Sequence, residues 1–90
     1  MEFLYSSIQI KKIDIKYTIN YYIINNDEDG SGLKVEKIYS NNEENKREVV
    51  MNNISESVEG VREIIDNFIE TNNDFTQIQY IIEDYAKINK

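Results

Sequence analysis

The chain has no cysteine and no histidine among its 90 residues, and these two absences remove most of the common chemistry of protein sites. Without cysteine there is neither a disulfide framework nor a thiolate metal site. Without histidine the commonest general base and the commonest metal ligand are both missing. Serine–histidine catalysis, cysteine–histidine catalysis and nearly all zinc chemistry are therefore excluded.

Other catalytic signatures are missing as well. The sequence contains no Gly-rich phosphate loop, no nucleophile elbow and no metal triad. Glu83 and Asp84 are neighbours on a predicted helix and therefore point apart, which does not suit a shared acid–base site. We therefore predict a protein that is not an enzyme and that binds no cofactor.

Basic residues are scarce, since the chain has 10 against 17 acidic residues and a formal net charge of −7. An acidic domain without a basic stripe is a poor ligand for phosphate backbones and anionic membranes, so we expect neither direct nucleic-acid binding nor membrane binding. The start of the sequence lacks a signal-peptide pattern, and no apolar run approaches a membrane-spanning length. The expected location is the cytoplasm, and the Ile-, Asn-, Lys- and Tyr-rich composition indicates an AT-rich bacterial genome.

The length predicts one small domain over residues 1–90, with a sheet part at about 5–53 and a helical part at about 56–88. Odd positions from Ile13 to Ile23 are apolar or aromatic and the intervening positions are largely polar, which is typical of a half-buried strand. Ile8 and Ile10 alternate on even positions, so a bulge or a tight turn is expected near Lys11.

Two polar segments divide the rest of the predicted sheet. Residues 25–32 (NNDEDGSG) form the strongest turn signal, and a strand carrying Leu33, Val35 and Ile38 should follow. Residues 41–46 (NNEENK) read as a second loop, before a short strand through Val49 and Met51. Successive hairpins predict an antiparallel meander of three to four strands.

From residue 55 the apolar period changes to that of an amphipathic helix, with Ser55 or Ser57 as N-cap. A break at residues 71–73 precedes a second helix that Asp74 would cap. The two apolar faces are formed by Val58, Val61, Ile64, Ile65, Phe68 and Ile69 and by Phe75, Ile78, Ile81, Ile82 and Tyr85. The predicted fold class is α+β, an antiparallel meander followed by two C-terminal amphipathic helices packed on one sheet face.

Acidic side chains recur at spacings of three and four along the first helix and would form one carboxylate row: Glu56, Glu59, Glu63, Asp66 and Glu70. Like charges at these spacings destabilise a helix slightly, and a helix that needs only solubility would normally mix signs. One interpretation is a docking surface for a basic protein, and another is mimicry of a phosphate backbone. A solvated face of an acidic protein is the third.

Residues 25–36 match the spacing of an EF-hand calcium loop, with Asn25, Asp27, Asp29 and Glu36 at positions 1, 3, 5 and 12 and a glycine at position 6. The flanking segments are predicted strands rather than helices, and Asp, Asn and Gly also cluster in hairpin turns for backbone reasons. A turn without metal is therefore the preferred interpretation of this segment.

Two tyrosines lie off the predicted apolar faces. Tyr22 points away from its neighbours on the first long strand, and Tyr80 lies opposite the apolar stripe of the second helix. Tyrosine is enriched in contact surfaces, so both are candidate partner-binding residues, although isolated exposed aromatics are also common. Gly60, inside the first helix, predicts a close approach of that helix to the sheet.

The segments "YTINYYIIN" and "NNISESVEGVREIIDNFIETNNDFTQIQYIIEDYAKIN" resemble a family of short clostridial proteins known only as a domain of unknown function. The shared features are a tyrosine-rich strand, a Ser-capped helix, a short break, and a second helix ending in the Ile-Ile-Glu-Asp-Tyr motif of residues 81–85. The resemblance covers roughly residues 15–88 and implies a fold but no activity. It assigns no functional residues.

The composition and the motifs together predict a small protein-binding or regulatory module that acts through a surface and has no catalytic activity. Its partner would be an unidentified protein, for which the acidic row favours a basic surface. An acidic inhibitor of a DNA- or RNA-binding protein is the alternative, and a calcium-binding module is the third candidate. Homodimerisation stays open, because a small core gains from burying further apolar surface.

Overall fold

The computed structural model describes residues 1–40, 42–71 and 75–88, and the side chains of all these except residues 27, 42–45 and 85–88. In this part of the chain four strands form one antiparallel sheet in the order β1-β2-β3-β4, and two helices pack on one of its faces. The elements are β1 (Glu2–Lys11), β2 (Lys16–Asn25), a 3₁₀ turn (Asp27–Asp29), β3 (Ser31–Tyr39), β4 (Asn42–Ser55), α1 (Val58–Glu70) and α2 (Phe75–Ile88). The predicted α+β meander with two C-terminal helices is confirmed.

Strand β2 shows the period of two that its sequence predicts. Its odd residues are buried against the helices, and Tyr21 and Ile23 lie opposite Val35 and Leu33 of β3. Successive strand residues point to opposite faces, so the even residues of β2 lie on the face that neither α1 nor α2 covers. We call this second face the open face.

The β1–β2 connection is a tight turn next to Lys11, as the change of register predicts, and β2 begins at Lys16 rather than at Ile13. The backbone N–H of Lys12 donates to the carbonyl of Ile15 (2.8 Å), and Ile15 N–H donates back to Lys12 (3.4 Å). Ile13 is therefore fully exposed at the hairpin tip, and its predicted place on the buried strand face is wrong. A separate bulge lies between Leu4 and Ser6 of β1.

Strand β4 is much longer than the short strand that the sequence predicts. It begins at Asn42, so the backbone of residues 42–46 is extended rather than a loop, and Lys46 lies opposite Ile38. Residue 41 lies outside the described residues. Strand pairing uses backbone groups, and an edge strand with a solvated face tolerates polar side chains that hide this strand from a hydropathy pattern.

Glycine at position 30 closes the β2–β3 hairpin. Its φ of +93° lies in a region that L side chains rarely adopt. In this conformation the carbonyl of Gly30 accepts a hydrogen bond from Asn26 N–H (3.0 Å) across the short 3₁₀ turn. The predicted turn in residues 25–32 is therefore present, with Gly30 as its conformational determinant.

Helix α1 begins at the N-cap Ser57, whose hydroxyl accepts a hydrogen bond from Gly60 N–H (3.2 Å). A side chain at Gly60 would collide with the hydroxyl of Ser55, the last residue of β4, so the helix does approach the sheet closely here. Buried residues of both helices and the sheet join in one core cluster: Tyr17, Ile19, Tyr21, Ile23, Leu33, Val35, Ile54, Val61, Ile65, Phe68, Phe75, Ile78 and Ile82.

Each helix is much shorter than the molecule. Helices of 13 and 14 residues span about 20 Å at 1.5 Å per residue, whereas the molecule is 43 Å long. Near the β1–β2 turn, Lys37 and Arg47 lie on the helix side of the sheet and border a cavity together with Phe75 at the start of α2. None of the helices in the described part of the chain is long and apolar enough to cross a membrane.

Candidate interaction surfaces

The open face carries a row of polar side chains across all strands of the sheet. Strand register places Ser7 opposite Asn20, Asn20 opposite Glu36, and Glu36 opposite Glu48. Directly opposed residues of antiparallel strands have side chains within contact distance. The row therefore concentrates amide, hydroxyl and carboxylate groups at the centre of a face that no described element covers.

Glu36 is the centre of this arrangement, because it is only 5% exposed although it lies on the open face. One carboxylate oxygen, Oε1, accepts hydrogen bonds from Asn20 Nδ2 (3.0 Å) and Tyr22 OH (2.9 Å). The other, Oε2, forms an ion pair with Lys46 Nζ (3.3 Å). Ser7 Oγ donates to Asn20 Oδ1 (2.6 Å), which extends the network to β1. We call these five residues the Glu36 network.

The network keeps Glu36 ionised. Burial alone would raise the pKa of Glu36, but the hydrogen bonds from Asn20, Tyr22 and Lys46 outweigh burial, so that the pKa lies below its ordinary value. The hydrogen bond to Glu36 raises the pKa of Tyr22 and also raises the pKa of Lys46. Near neutral pH the carboxylate, the phenol and the ammonium are therefore all in the forms that the network requires.

Apolar side chains flank the network on the two edge strands. Leu4 of β1 is 53% exposed and Val50 of β4 is 44% exposed. They occupy the ends of one cross-strand row, in which Tyr22 and Lys34 are the middle members. The ammonium of Lys34 lies 4.7 Å from the centre of the Tyr22 ring and 3.2 Å from Glu2 Oε2. The open face thus has exposed apolar ends and a centre whose charges are already paired.

The predicted carboxylate row on α1 is shorter and less free than its spacing suggests. Glu56 precedes the N-cap, so it lies outside the helix, and the row consists of Glu59, Glu63, Asp66 and Glu70. Including Glu56 in a helical row was wrong, because the helix starts at Val58 and the chain before Ser57 is still leaving β4.

Two members of the shortened row already have partners within the chain. Glu59 Oε1 is 3.2 Å from Arg62 Nη1. Asp66 Oδ1 accepts a hydrogen bond from Tyr5 OH (2.9 Å), and this bond raises the pKa of Tyr5. The guanidinium of Arg62 lies 5.9 Å from the Tyr5 ring centre. The row therefore also links α1 to strand β1, a role that its sequence spacing does not reveal.

The two candidate tyrosines lie on opposite sides of the molecule. Tyr22 belongs to the open face and is half-buried by the Glu36 network. Tyr80 is 66% exposed on α2, which covers the other face. The structure therefore does not bring them into one surface, and only Tyr22 joins a larger arrangement of side chains.

The EF-hand spacing does not become EF-hand geometry. Asn25 and Asp29 border the β2–β3 turn, and the side chain of Asp27 lies outside the described residues. Glu36 pairs with Asn20, five residues before Asn25, which puts it about 16 Å along the sheet at roughly 3.3 Å per residue. The calcium ligand set of residues 25–36 is therefore not assembled, because β3 carries its twelfth position away from the turn into the Glu36 network.

Across the side chains that the structure describes, no group of three or more Asp and Glu residues lies close enough together to hold a metal ion. The acidic depression beside the β2–β3 turn contains Glu28, Asp29 and Glu56. Their carboxylates do not converge on one point, so we assign no ligand there.

The Glu36 network is the feature that sequence reasoning missed. Its members alternate with core residues in β2, β3 and β4, and their polarity alone marks only a solvated strand face. Counting outward from the turn in residues 25–32 would have placed Asn20 opposite Glu36 and Tyr22 opposite Lys34. Comparisons with protein-family models, curated proteins and solved structures found no match, so the resemblance to the clostridial family stays a prediction.

Proposed function

We infer that this chain is a small protein-binding module that contacts its partner through the open face of its sheet and performs no catalysis. One observation carries the proposal. Exposed Leu4 and Val50 flank a network in which the central carboxylate of Glu36 is almost completely shielded and fully hydrogen-bonded.

Shielding matters because binding removes water from polar groups. A carboxylate that loses its water without gaining a partner opposes association. Glu36 already has its partners in the free protein, so a second surface laid over it removes little further water. Apolar contact at Leu4 and Val50, and ring contact at Tyr22, would then supply favourable free energy.

The carboxylate row of α1 remains a second surface for a basic partner. Mimicry of a phosphate backbone has weaker support, because a mimic needs many free carboxylates over a long surface, and two of the four on α1 are already bonded to Arg62 and Tyr5. The row is therefore suited to steering a basic partner more than to replacing a nucleic acid.

A cytoplasmic, bacterial location belongs to the same proposal and is supported by the composition alone. Homodimerisation is an additional hypothesis, because β1 and β4 are edge strands that can pair with another copy. Sedimentation at several concentrations measures it, and an unchanged monomer mass over the whole range would contradict it.

The test begins with affinity capture from the native host and then measures binding of the purified partner by calorimetry. Leu4→Asp and Val50→Asp introduce a charge at the two ends of the open face. Each should weaken binding of the partner by about tenfold or more, since an unpaired charge removed from water in an apolar contact commonly costs at least that. Ile13→Asp is the matched control, because Ile13 is also apolar and exposed but lies at the hairpin tip.

Charge reversal at Glu59, Glu63 and Asp66 supplies the second arm. Loss of partner binding only in the charge-reversal variants would show that the carboxylate row, not the open face, is the interface. A partner that binds all of these variants as it binds the wild type would rule out both surfaces.

A further inference from the structure

A cavity of about 220 Å³ lies on the helix side of the sheet, where the β1–β2 turn, the strands and the start of α2 meet. Its polar lining includes Lys12, Lys37 and Arg47. None of the described residues that line it is acidic, although the chain carries 17 acidic residues against 10 basic ones. A cationic cavity in such an acidic chain calls for a physical explanation.

The cations of this cavity differ from three of the cations elsewhere in the described part of the chain. Lys34, Lys46 and Arg62 form ion pairs with carboxylates. Lys37 and Arg47 form none with any described residue, and strand register places them directly opposite each other. Like charges at directly opposed positions of an antiparallel pair destabilise it.

The neighbouring cross-strand pair also has two like charges directly opposite each other, but both of them are negative. Glu36 lies opposite Glu48 on the open face, and Lys46 lies 3.3 Å from the first carboxylate and 3.7 Å from the second. A cation thus bridges that like-charged pair. The Lys37–Arg47 pair has no corresponding anion from the described residues, and an anion bound in the cavity would take that place.

The side chain of Lys37 is held in place by aromatic rings. Its ammonium lies 4.3 Å from the centre of the Tyr17 ring and 5.0 Å from that of Tyr39. These contacts fix a long side chain that would otherwise lose conformational entropy on binding. Tyr17 and Phe75 are buried and form an apolar and aromatic wall next to the cations.

We propose that this cavity binds a small organic phosphomonoester, with the phosphate between Lys37, Arg47 and Lys12 and the organic part against the aromatic wall. Three cationic groups suit the charge of a phosphomonoester, about −2 near neutral pH, better than the single charge of a carboxylate. The volume is below the roughly 300 Å³ at which pockets for drug-sized ligands begin, so the ligand is small. The site lies on the face opposite the proposed protein-binding surface, and neither proposal depends on the other.

The test uses the full chain labelled with ¹⁵N and titrated with phenyl phosphate, inorganic phosphate and benzoate, followed by amide chemical shifts. Phenyl phosphate should shift the amides around Tyr17, Lys37 and Arg47 and should bind more tightly than either other probe. Lys37→Gln and Arg47→Gln should each weaken it by about tenfold or more, the usual effect of losing a charge-assisted hydrogen bond. Arg47 is exposed, so its replacement preserves the core.

Lys16→Gln is the matched control, because it removes the same charge at the same end of the sheet from a residue that does not line the cavity. It should change the affinity by less than about twofold, as expected for a screened surface charge. The absence of any shift with phenyl phosphate, or an equal loss of affinity in Lys16→Gln and Lys37→Gln, would overturn the site. Equally tight binding of inorganic phosphate or of benzoate would overturn the assignment to an organic phosphomonoester.

Discussion

Replacement of Glu36 by glutamine is the most direct test of the Glu36 network, because it removes the charge and keeps the shape. The amide oxygen of glutamine can still accept from Asn20 and Tyr22, which now donate to Glu36 Oε1 at 3.0 and 2.9 Å. The substitution therefore leaves the core on the other face untouched. Any loss of stability reports on the charge of residue 36.

The expected magnitude follows from these two hydrogen bonds. A hydrogen bond to a charged group contributes about 1.5–3 kcal/mol net and a neutral one about 0.5–1.5 kcal/mol, so two weakened bonds lose roughly 2 kcal/mol. The lost ion pair with Lys46 adds little, because that lysine is solvated. Relief of a shielded charge returns part of the loss. We expect Glu36→Gln to lower the free energy of unfolding by about 1–2 kcal/mol.

Urea denaturation followed by circular dichroism measures this change, with an unchanged slope as the sign that unfolding remains two-state. Thermal unfolding should show a decrease in Tm of roughly 4–16 °C for a domain of this size. Glu48→Gln is the matched control, because Glu48 lies opposite Glu36 on the same face but its side chain is 44% exposed. It should change the free energy of unfolding by less than about 0.5 kcal/mol.

Equal effects of Glu36→Gln and Glu48→Gln would refute the reasoning. The shielding of Glu36 would then have no energetic consequence, and the network would be an ordinary solvated strand face. An increase in stability on Glu36→Gln would go further, because it would mean that the burial of the carboxylate outweighs its hydrogen bonds.

Three further predictions concern pH and single substitutions. The pKa of Glu36 is lowered in the folded protein, so the contribution of this carboxylate to stability is complete above its unfolded pKa of about 4.3 and is lost as the pH falls through the folded pKa. The urea midpoint should therefore fall in acid more for the wild type than for Glu36→Gln. Parallel pH dependences of the two midpoints would contradict this. Gly60→Ala, which would stabilise an ordinary helix by about 1 kcal/mol, should give no gain in urea denaturation because its Cβ would collide with the Ser55 hydroxyl. Part of the gain should reappear in a Ser55→Ala background, where only the contact with the Cβ of residue 55 remains, and the same result in both backgrounds would contradict this. Arg47→Gln, without ligand, should raise the free energy of unfolding by about 0.2–1 kcal/mol by removing the like charge opposite Lys37; a decrease would argue against repulsion there.

Much of the fold follows from local pattern, because period and capping are properties of short segments. The alternation through Tyr17 and Ile23 predicts β2 and its buried face, and the serine before Val58 predicts the start of α1. The predictions are wrong where the structure depends on backbone hydrogen bonds that no side-chain pattern indicates. The turn that exposes Ile13 depends on two reciprocal backbone hydrogen bonds, and apolar periodicity carries no information about them.

The candidate sites were less predictable than the fold, since they depend on register between strands. Glu36 was interpretable from the sequence as the last ligand of a calcium loop, and its actual partners lie on β2 and β4. The sequence pattern does not indicate a role for Lys37 and Arg47, because two cations ten residues apart become a pair only through the β3–β4 register. A polar residue on a strand acquires a role only through the residues opposite it.

The charges of β3 also determine how this strand can pair. Glu36 and Lys37 are consecutive and therefore point to opposite faces, the glutamate into its network and the lysine onto the Tyr17 and Tyr39 rings. A slip of one residue would turn Glu36 towards the helices and separate it from Tyr22, and it would turn Leu33 to the open face. The charge of Glu36 and the apolar side chain of Leu33 thus both disfavour a one-residue slip of β3. Register specificity alone is a sufficient reason to retain the Glu36 network. A loss of stability in Glu36→Gln therefore supports a structural role. Only the loss of partner binding in Leu4→Asp or Val50→Asp supports the proposed function.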